Sequence, residues 1–174
     1  NHGTHRADIG GMIFVIVDQI NHVTIQDSQK RITVAKLNHK AASKAMGNSN
    51  FAAAYFYSNA AIKLLPTNHW DSHYDLSRSI FLVLGNSAYT DGHIEEASSA
   101  LDKILSHGKS LKDKLDAYHL KIAILHARQE GKAAYDTCIE VLRKLGETIP
   151  ASVKPEIVVQ MVENIQPKLN EMTD

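Results

Sequence analysis

FLVLGNSAYTDGHIEEASSALDKIL, residues 81–105, decides the fold. Its apolar residues recur at three and four positions, the period of a helix. Yet it keeps Gly85 and Gly92, and an interior glycine costs a helix about 1 kcal/mol against alanine. Both glycines make sense if the stretch is two helices folded back on each other at Asp91–Gly92. Gly92 then supplies the permissive backbone of a tight turn. Gly85 and Ala97 are small where the paired helices cross closely, and Phe81, Leu84, Leu101 and Ile104 fill the space between them.

The same arrangement recurs on either side. Upstream, Phe51, Ala54, Ala61 and Pro66 repeat the second helix of the pair, and Ala42 and Ala45 take the small positions of the helix before it. Downstream, Tyr118, Leu125, Ala134, Cys138 and Val141 form a degenerate copy without a Leu-Gly pair. An aromatic residue, Leu-Gly, a small packing position, then Gly, a hydrophobe and Ala is the tetratricopeptide spacing. Alanines 54, 97 and 134 are 43 and 37 apart rather than a strict repeat, so armadillo- or HEAT-like pairs stay open. Either way the expected fold is all-α, a right-handed α-α superhelix of tetratricopeptide-like pairs, each burying one face on the next.

Breakers mark six helices inside this array. They run from about Asp27 to Met46, Asn50 to Leu65, Asn68 to Asp91, His93 to His107, Ser110 to near Gly131, and Lys132 to Leu145. Asn68 with Asp71 three residues on reads as a capping arrangement, and Gly146 as a C-terminal cap. Residues 1–26 are expected to be a tail and a leading helix, 27–150 the array of about three pairs, and 151–174 a capping helix and tail. The leading GGMIFVIVDQIN is read as helix, although its β-branched residues would also suit a buried strand. A last helix is expected after Ser152, with Pro167 kinking or ending it.

Composition excludes several function classes. With 19 basic and 19 acidic residues the formal net charge is zero, which argues against a broad phosphate-binding surface and a nucleic-acid partner. Cys138 is the only cysteine, so no internal disulfide forms and a cytoplasmic setting is expected. The longest apolar run, Met12 to Val17, is far short of a bilayer span, so no membrane is expected. The chain opens on NHGTHR without a methionine, which suggests a fragment of a longer protein.

The segments FVIVDQIN, KLNHKAASKA, FAAAYFYSNAAIKLLPTNHWDSHYDL and CIEVLRKLG resemble the helical, tetratricopeptide-like region of large multidomain signalling proteins. In that family a Ser/Thr kinase module, an AAA-type ATPase, this helical region, a GAF domain and often a histidine kinase follow one another. The resemblance runs from about Ile13 to Pro150 and is strongest from Pro66 to Leu76, with Trp70 and Tyr74. It implies a regulatory arm beside an ATPase, and nothing catalytic carries over.

Chemistry-bearing residues do not assemble into a reaction centre on paper. His69 and His73 are four apart, but a zinc site wants three or four ligands. His119 and His126 are two helical turns apart and do not chelate one ion. Cys138 occupies a large apolar repeat position, where cysteine behaves as a small hydrophobe. No enzyme activity, cofactor or metal is expected. Trp70 and Tyr74 are read as anchors between two pairs.

The candidate site is instead the groove lined by the first helix of each pair. It comprises Lys36, His39 and Ser43; Ser79, Leu82, Asn86 and Tyr89; and Asp116, His119, Ala123 and His126. The expected occupant is a protein or peptide segment, or a neighbouring domain of the same chain. A structural spacer, self-associating through exposed solenoid ends, is the alternative expectation, and a small metal- or ligand-binding helical protein ranks behind it.

Overall fold

A computed structural model describes residues 4–147, and every described element is helical. In chain order these are α1 (Thr4–Asn21), α2 (Ser28–Gly47), α3 (Phe51–Leu64), α4 (His69–Ser72), α5 (Tyr74–Thr90), α6 (Ile94–His107), α7 (Leu111–Ala127) and α8 (Gly131–Lys144). The chain divides into two compact units within α8, one ending at Thr137 and one beginning at Cys138. The helix expected after Ser152, with Pro167, lies outside the described residues.

In the first unit consecutive long helices pack on one another. α1 lies on α2, α2 on α3, α3 on α5, α5 on α6 and α6 on α7. The starts are set by side chains that satisfy free N–H groups. Asp27 accepts from the Lys30 N–H at 2.7 Å and Asn50 from the Ala53 N–H at 3.2 Å. Ser110 and Asp113 form a reciprocal capping box at the head of α7.

The helix ends carry a repeated device. α2, α5 and α7 each stop at a residue in the left-handed region: Ser49 (φ 56), Gly92 (φ 87) and Gln129 (φ 61). Each is followed by one N–H that reaches back to the third-last helical carbonyl, from Asn50 to Ala45, His93 to Ala88 and Glu130 to Leu125. This is the six-to-one bond of a Schellman turn. The residue that makes it also precedes or caps the next helix, so each turn reverses the chain at once. Five residues past each left-handed position stands a buried alanine: Ala54, Ala97 or Ala134. In the second unit α8 ends on the same bonds, with Gly146 at φ 88 and Glu147 N–H reaching Leu142 O.

The core of the first unit lies in three patches. The largest joins Phe81, Leu84 and Ala88 of α5, Ala97, Leu101 and Ile104 of α6, and Ala117, Leu120 and Ile124 of α7. A Cβ built on Gly85 would stand 3.0 Å from Leu101 Cδ2 and 3.5 Å from Leu120 Cδ2. The glycine therefore marks the closest approach of α5 to its neighbours. Ile32, Ala35, Ala61, Leu65 and Ile80 fill the α2–α3–α5 contact. Val17, Ala41, Ala42 and Tyr57 seat α1.

Three details depart from the sequence reading. The helix expected from Asn68 to Asp91 is broken at His73 (φ −139), giving the short α4 before α5. The Asn68 side chain makes no capping bond; its carbonyl accepts from the Ser72 hydroxyl instead, at 3.0 Å. α7 ends at Ala127, before Gly131, because Gln129 takes the turn conformation; Gly131 opens α8.

Candidate functional site

The first helices of successive pairs lie side by side, α2 against α5 and α5 against α7. Counting back from each left-handed turn residue puts the candidate residues in register. Lys36, Ser79 and Asp116 stand thirteen residues before it, and His39, Leu82 and His119 ten. Ser43, Asn86 and Ala123 stand six before it, and Tyr89 and His126 three. One hydrogen bond ties two of these helices across the rows: His39 Nε2 and Ser79 Oγ are 2.9 Å apart.

The side chains differ in how free they are. Lys36, Ser43, Asp116, His119 and His126 are exposed. Ser79 and His39 are half-buried and engaged with each other. Asn86 donates its amide to Leu82 O within its own helix, at 2.9 Å. Leu82 and Tyr89 are half-buried and pack against the largest core patch, so they form the floor. Ala123 is also half-buried. The uppermost row runs from a cation at Lys36 through a hydroxyl at Ser79 to a carboxylate at Asp116.

His39 holds an unusual position. Its Nδ1 is buried and makes no hydrogen bond. Burial pushes the imidazole below its usual pKa, because a charged ring there would lose water and place an N–H opposite no acceptor. The bond to Ser79 is therefore one made by a neutral ring.

A second cluster joins α4 and α5 to the α6–α7 junction. Trp70 stacks on His107 at 4.7 Å between centroids and on Phe81 at 5.4 Å. The Tyr74 hydroxyl donates to Asp113 Oδ2 at 2.8 Å and accepts from the Lys109 N–H at 2.8 Å. Lys109 Nζ lies 4.2 Å over the same ring. The bonds from Tyr74 and Ser110 hold the Asp113 carboxyl below its ordinary pKa. Tyr74 thus bridges the α5–α6 pair to α7, and Trp70 fastens α4 onto the α5–α6 pair.

The other singled-out histidines do not converge. His69 Nδ1 is 2.8 Å from Ser77 Oγ, and its ring stacks on Phe81. Burial, then His107, His73 and Lys103, lower its pKa. His73 sits at the break that heads α5. Among the described residues no group of three or more His, Cys, Asp and Glu is placed to hold a metal ion. Cys138, in the second unit, is a free, half-buried thiol.

Sequence reasoning missed the polar seat of α1. Asn21 and Asn38 exchange side-chain hydrogen bonds at 2.9 and 2.8 Å, with Asn38 fully buried. The Tyr57 hydroxyl donates to Asp18 at 2.8 Å. Burial and the Asp18 carboxylate push that phenol up to about 12. Asn21 and Asn38 lie seventeen residues apart on different helices, and no local pattern signals such a pair.

Among the described residues every element is helical, and α2, α5 and α7 lie side by side. Over 91% of its length the chain is similar to part of a signalling protein, the hybrid signal transduction histidine kinase G of Dictyostelium discoideum. The two are 25% identical over 177 residues, and the chain spans about 5% of that relative's length. No family model and no solved structure matches the chain. Among the described residues no helix is long and apolar enough to cross a membrane.

Proposed function

We propose that the chain is a non-enzymatic interaction module of a larger signal-transduction protein, a superhelix of tetratricopeptide-like pairs that holds a protein or peptide segment on the α2–α5–α7 face. The observation that carries this is the repeated turn. Three helix reversals share one hydrogen-bond pattern and one turn-to-alanine offset. Such a register repeats equivalent side chains along one face, and that is how helical arrays build extended binding surfaces. The likeness to a stretch of a signal transduction histidine kinase supports a signalling setting, and the lone cysteine, Cys138, supports the cytoplasm.

The polarity of the row suggests the orientation of the occupant. An extended segment would lay acidic residues beside Lys36 and basic residues beside Asp116, over the floor of Leu82 and Tyr89. Ser79 and His39 fix the spacing between α2 and α5. Asn86, Ser43, His119 and His126 offer polar contacts along the way, and Ala123 leaves room for a side chain.

Calorimetric titration with segments of the parent protein that flank this region tests the proposal. Binding should weaken about tenfold when Asn86→Ala and Tyr89→Ala are combined, the size of effect seen when an interface loses contacts worth about 1.4 kcal/mol. Lys36→Glu should weaken acidic segments and spare neutral ones. Binding that ignores all three changes would remove this face from consideration.

One observation favours a second reading, a self-associating spacer. Met12, Val15 and Ile16 of α1 are 54, 63 and 44% exposed, and exposed apolar clusters mark contact surfaces. Sedimentation equilibrium decides: a monomer at all concentrations discards it, and a dimer dispersed by Val15→Glu supports it.

A further inference from the structure

Helix α3 is more apolar than one buried face requires. Its inner stripe, Ala54, Ser58 and Ala61, is fully buried. A second stripe, Phe56, Ala60 and Lys63, points away from α5 into a cleft of about 330 Å³. The opposite wall is the end of α1 and the strand of chain leading to α2, with Ile20, Val23 and Ile25; Val34 and Leu64 contribute to the lining. This cleft is separate from the α2–α5–α7 face. Its rim leaves two large apolar side chains in water, Phe56 at 55% and Val23 at 64% exposed.

The charge around the cleft is one-sided. Lys63 is the only charged residue that lines it, and it makes no ion pair among the described residues. The nearby negative end of α3 is already neutralised. Arg31 donates to Lys63 O at 2.9 Å and to Leu64 O at 3.3 Å, covering carbonyls that would otherwise attract a cation. The carboxylates of the region are committed elsewhere, Asp18 to Tyr57 and Asp27 to the α2 N-terminus. What remains is an apolar slot with one free ammonium at its edge.

We propose that this cleft seats one large apolar side chain of a peptide segment whose neighbouring residue carries a carboxylate, with the carboxylate paired to Lys63. The volume falls at the lower end of the range for small-ligand sites and suits one aromatic or leucine side chain rather than a whole helix. Ala60 keeps the slot open. Asn59 on the same wall is held by its own helix through a 3.1 Å bond to Tyr55 O, so the wall is formed before anything binds.

Methyl NMR on the full 174-residue chain tests this with two capped peptides, acetyl-Ala-Phe-Asp-Ala-amide and its Asn counterpart. Shifts should appear at the methyls of Ile20, Val23, Val34 and Leu64. The Asp peptide should bind about threefold more tightly, the size expected of an exposed ion pair. Lys63→Ala should bring that ratio to one, and salt at about 1 M should do the same in the unmodified chain. Ala60→Trp should abolish both titrations. Equal affinity for the two peptides, a ratio untouched by Lys63→Ala, shifts confined to α2, α5 and α7, or no shift at millimolar peptide would each overturn the proposal. Failure here leaves the α2–α5–α7 reading standing, since its variants lie on other residues.

Discussion

The middle of the first unit and its amino-terminal edge are held together in different ways. Around Gly85 the contact of α5, α6 and α7 is filled by apolar side chains, and Leu101 is fully buried between them. At the edge, α1 is seated by a small apolar patch together with an amide pair and a tyrosine–aspartate bond. It also leaves Val15 and Ile16 in water. Close packing stabilises without directing, because dispersion and burial have no preferred angle. Hydrogen bonds in a partly dry site are directional, and they cost most when one partner is lost. The centre should therefore be most sensitive to changes of volume, and the edge to the loss of a single hydrogen-bonding partner.

The largest effect that could break this contrast is at Leu101. Leu101→Ala should cost about 2–5 kcal/mol in a urea titration and lower the midpoint for the whole first unit. A loss below about 1 kcal/mol would mean that the centre is not the cooperative core. Gly85→Val comes next. Its added carbons meet Leu101 and Leu120, and such overpacking should cost about 1–3 kcal/mol. At the edge, Asn38→Ala leaves the Asn21 amide unpaired and should cost about 1–2 kcal/mol. Hydrogen exchange should show that cost as faster exchange in α1, with α5 and α6 unchanged. Uniform acceleration everywhere would erase the distinction between the two regions.

A smaller effect comes from pH. The folded His39 is held below its ordinary pKa by burial, so the unfolded chain binds more protons as pH drops below about 6.5. The stability associated with the neutral ring is present above that pH and is lost as pH falls through the folded pKa. Thermal midpoints should decline from pH 7.5 to 5.5, and His39→Gln should flatten the decline. An unchanged slope would assign it to His69, whose pKa is lowered as well. The smallest effects lie in the turns. Gly92→Ala should cost about 1 kcal/mol, and Gln129→Gly should gain about 0.5 kcal/mol, since only glycine is at ease at positive φ.

Much of the helical layout was legible because the breakers are chemical. Asp27, Asn50 and Ser110 cap helices, and Gly92 and Gly146 end them. The break at His73 was not legible, since no glycine or proline marks it. There Trp70 turns aside to stack on Phe81 and His107, and tertiary contact overrides helix propensity. The end of α7 was hidden for a similar reason, because Gln129 does a glycine's task. Of the candidate face, the helical register was readable from periodicity. The His39–Ser79 bond was not, because it depends on how far α2 is staggered along α5. The cleft beside α3 was equally hidden, being made by the path of residues 22–27 and not by any motif.

The constant five-residue step from turn to alanine has a consequence for how such a chain changes length. The pairs differ in spacing by six residues, 43 against 37. Since the step never varies, that difference sits outside the turns, and α4 with its flanks occupies the longer connection. Insertions tried between Pro66 and Asn68, ahead of α4, should fold, while a single residue added between Gly92 and Ala97 should rotate every later side chain of α6 by about 100° off its partner. Differences in length between these pairs thus fall in the connector, and the nested crossings keep one geometry.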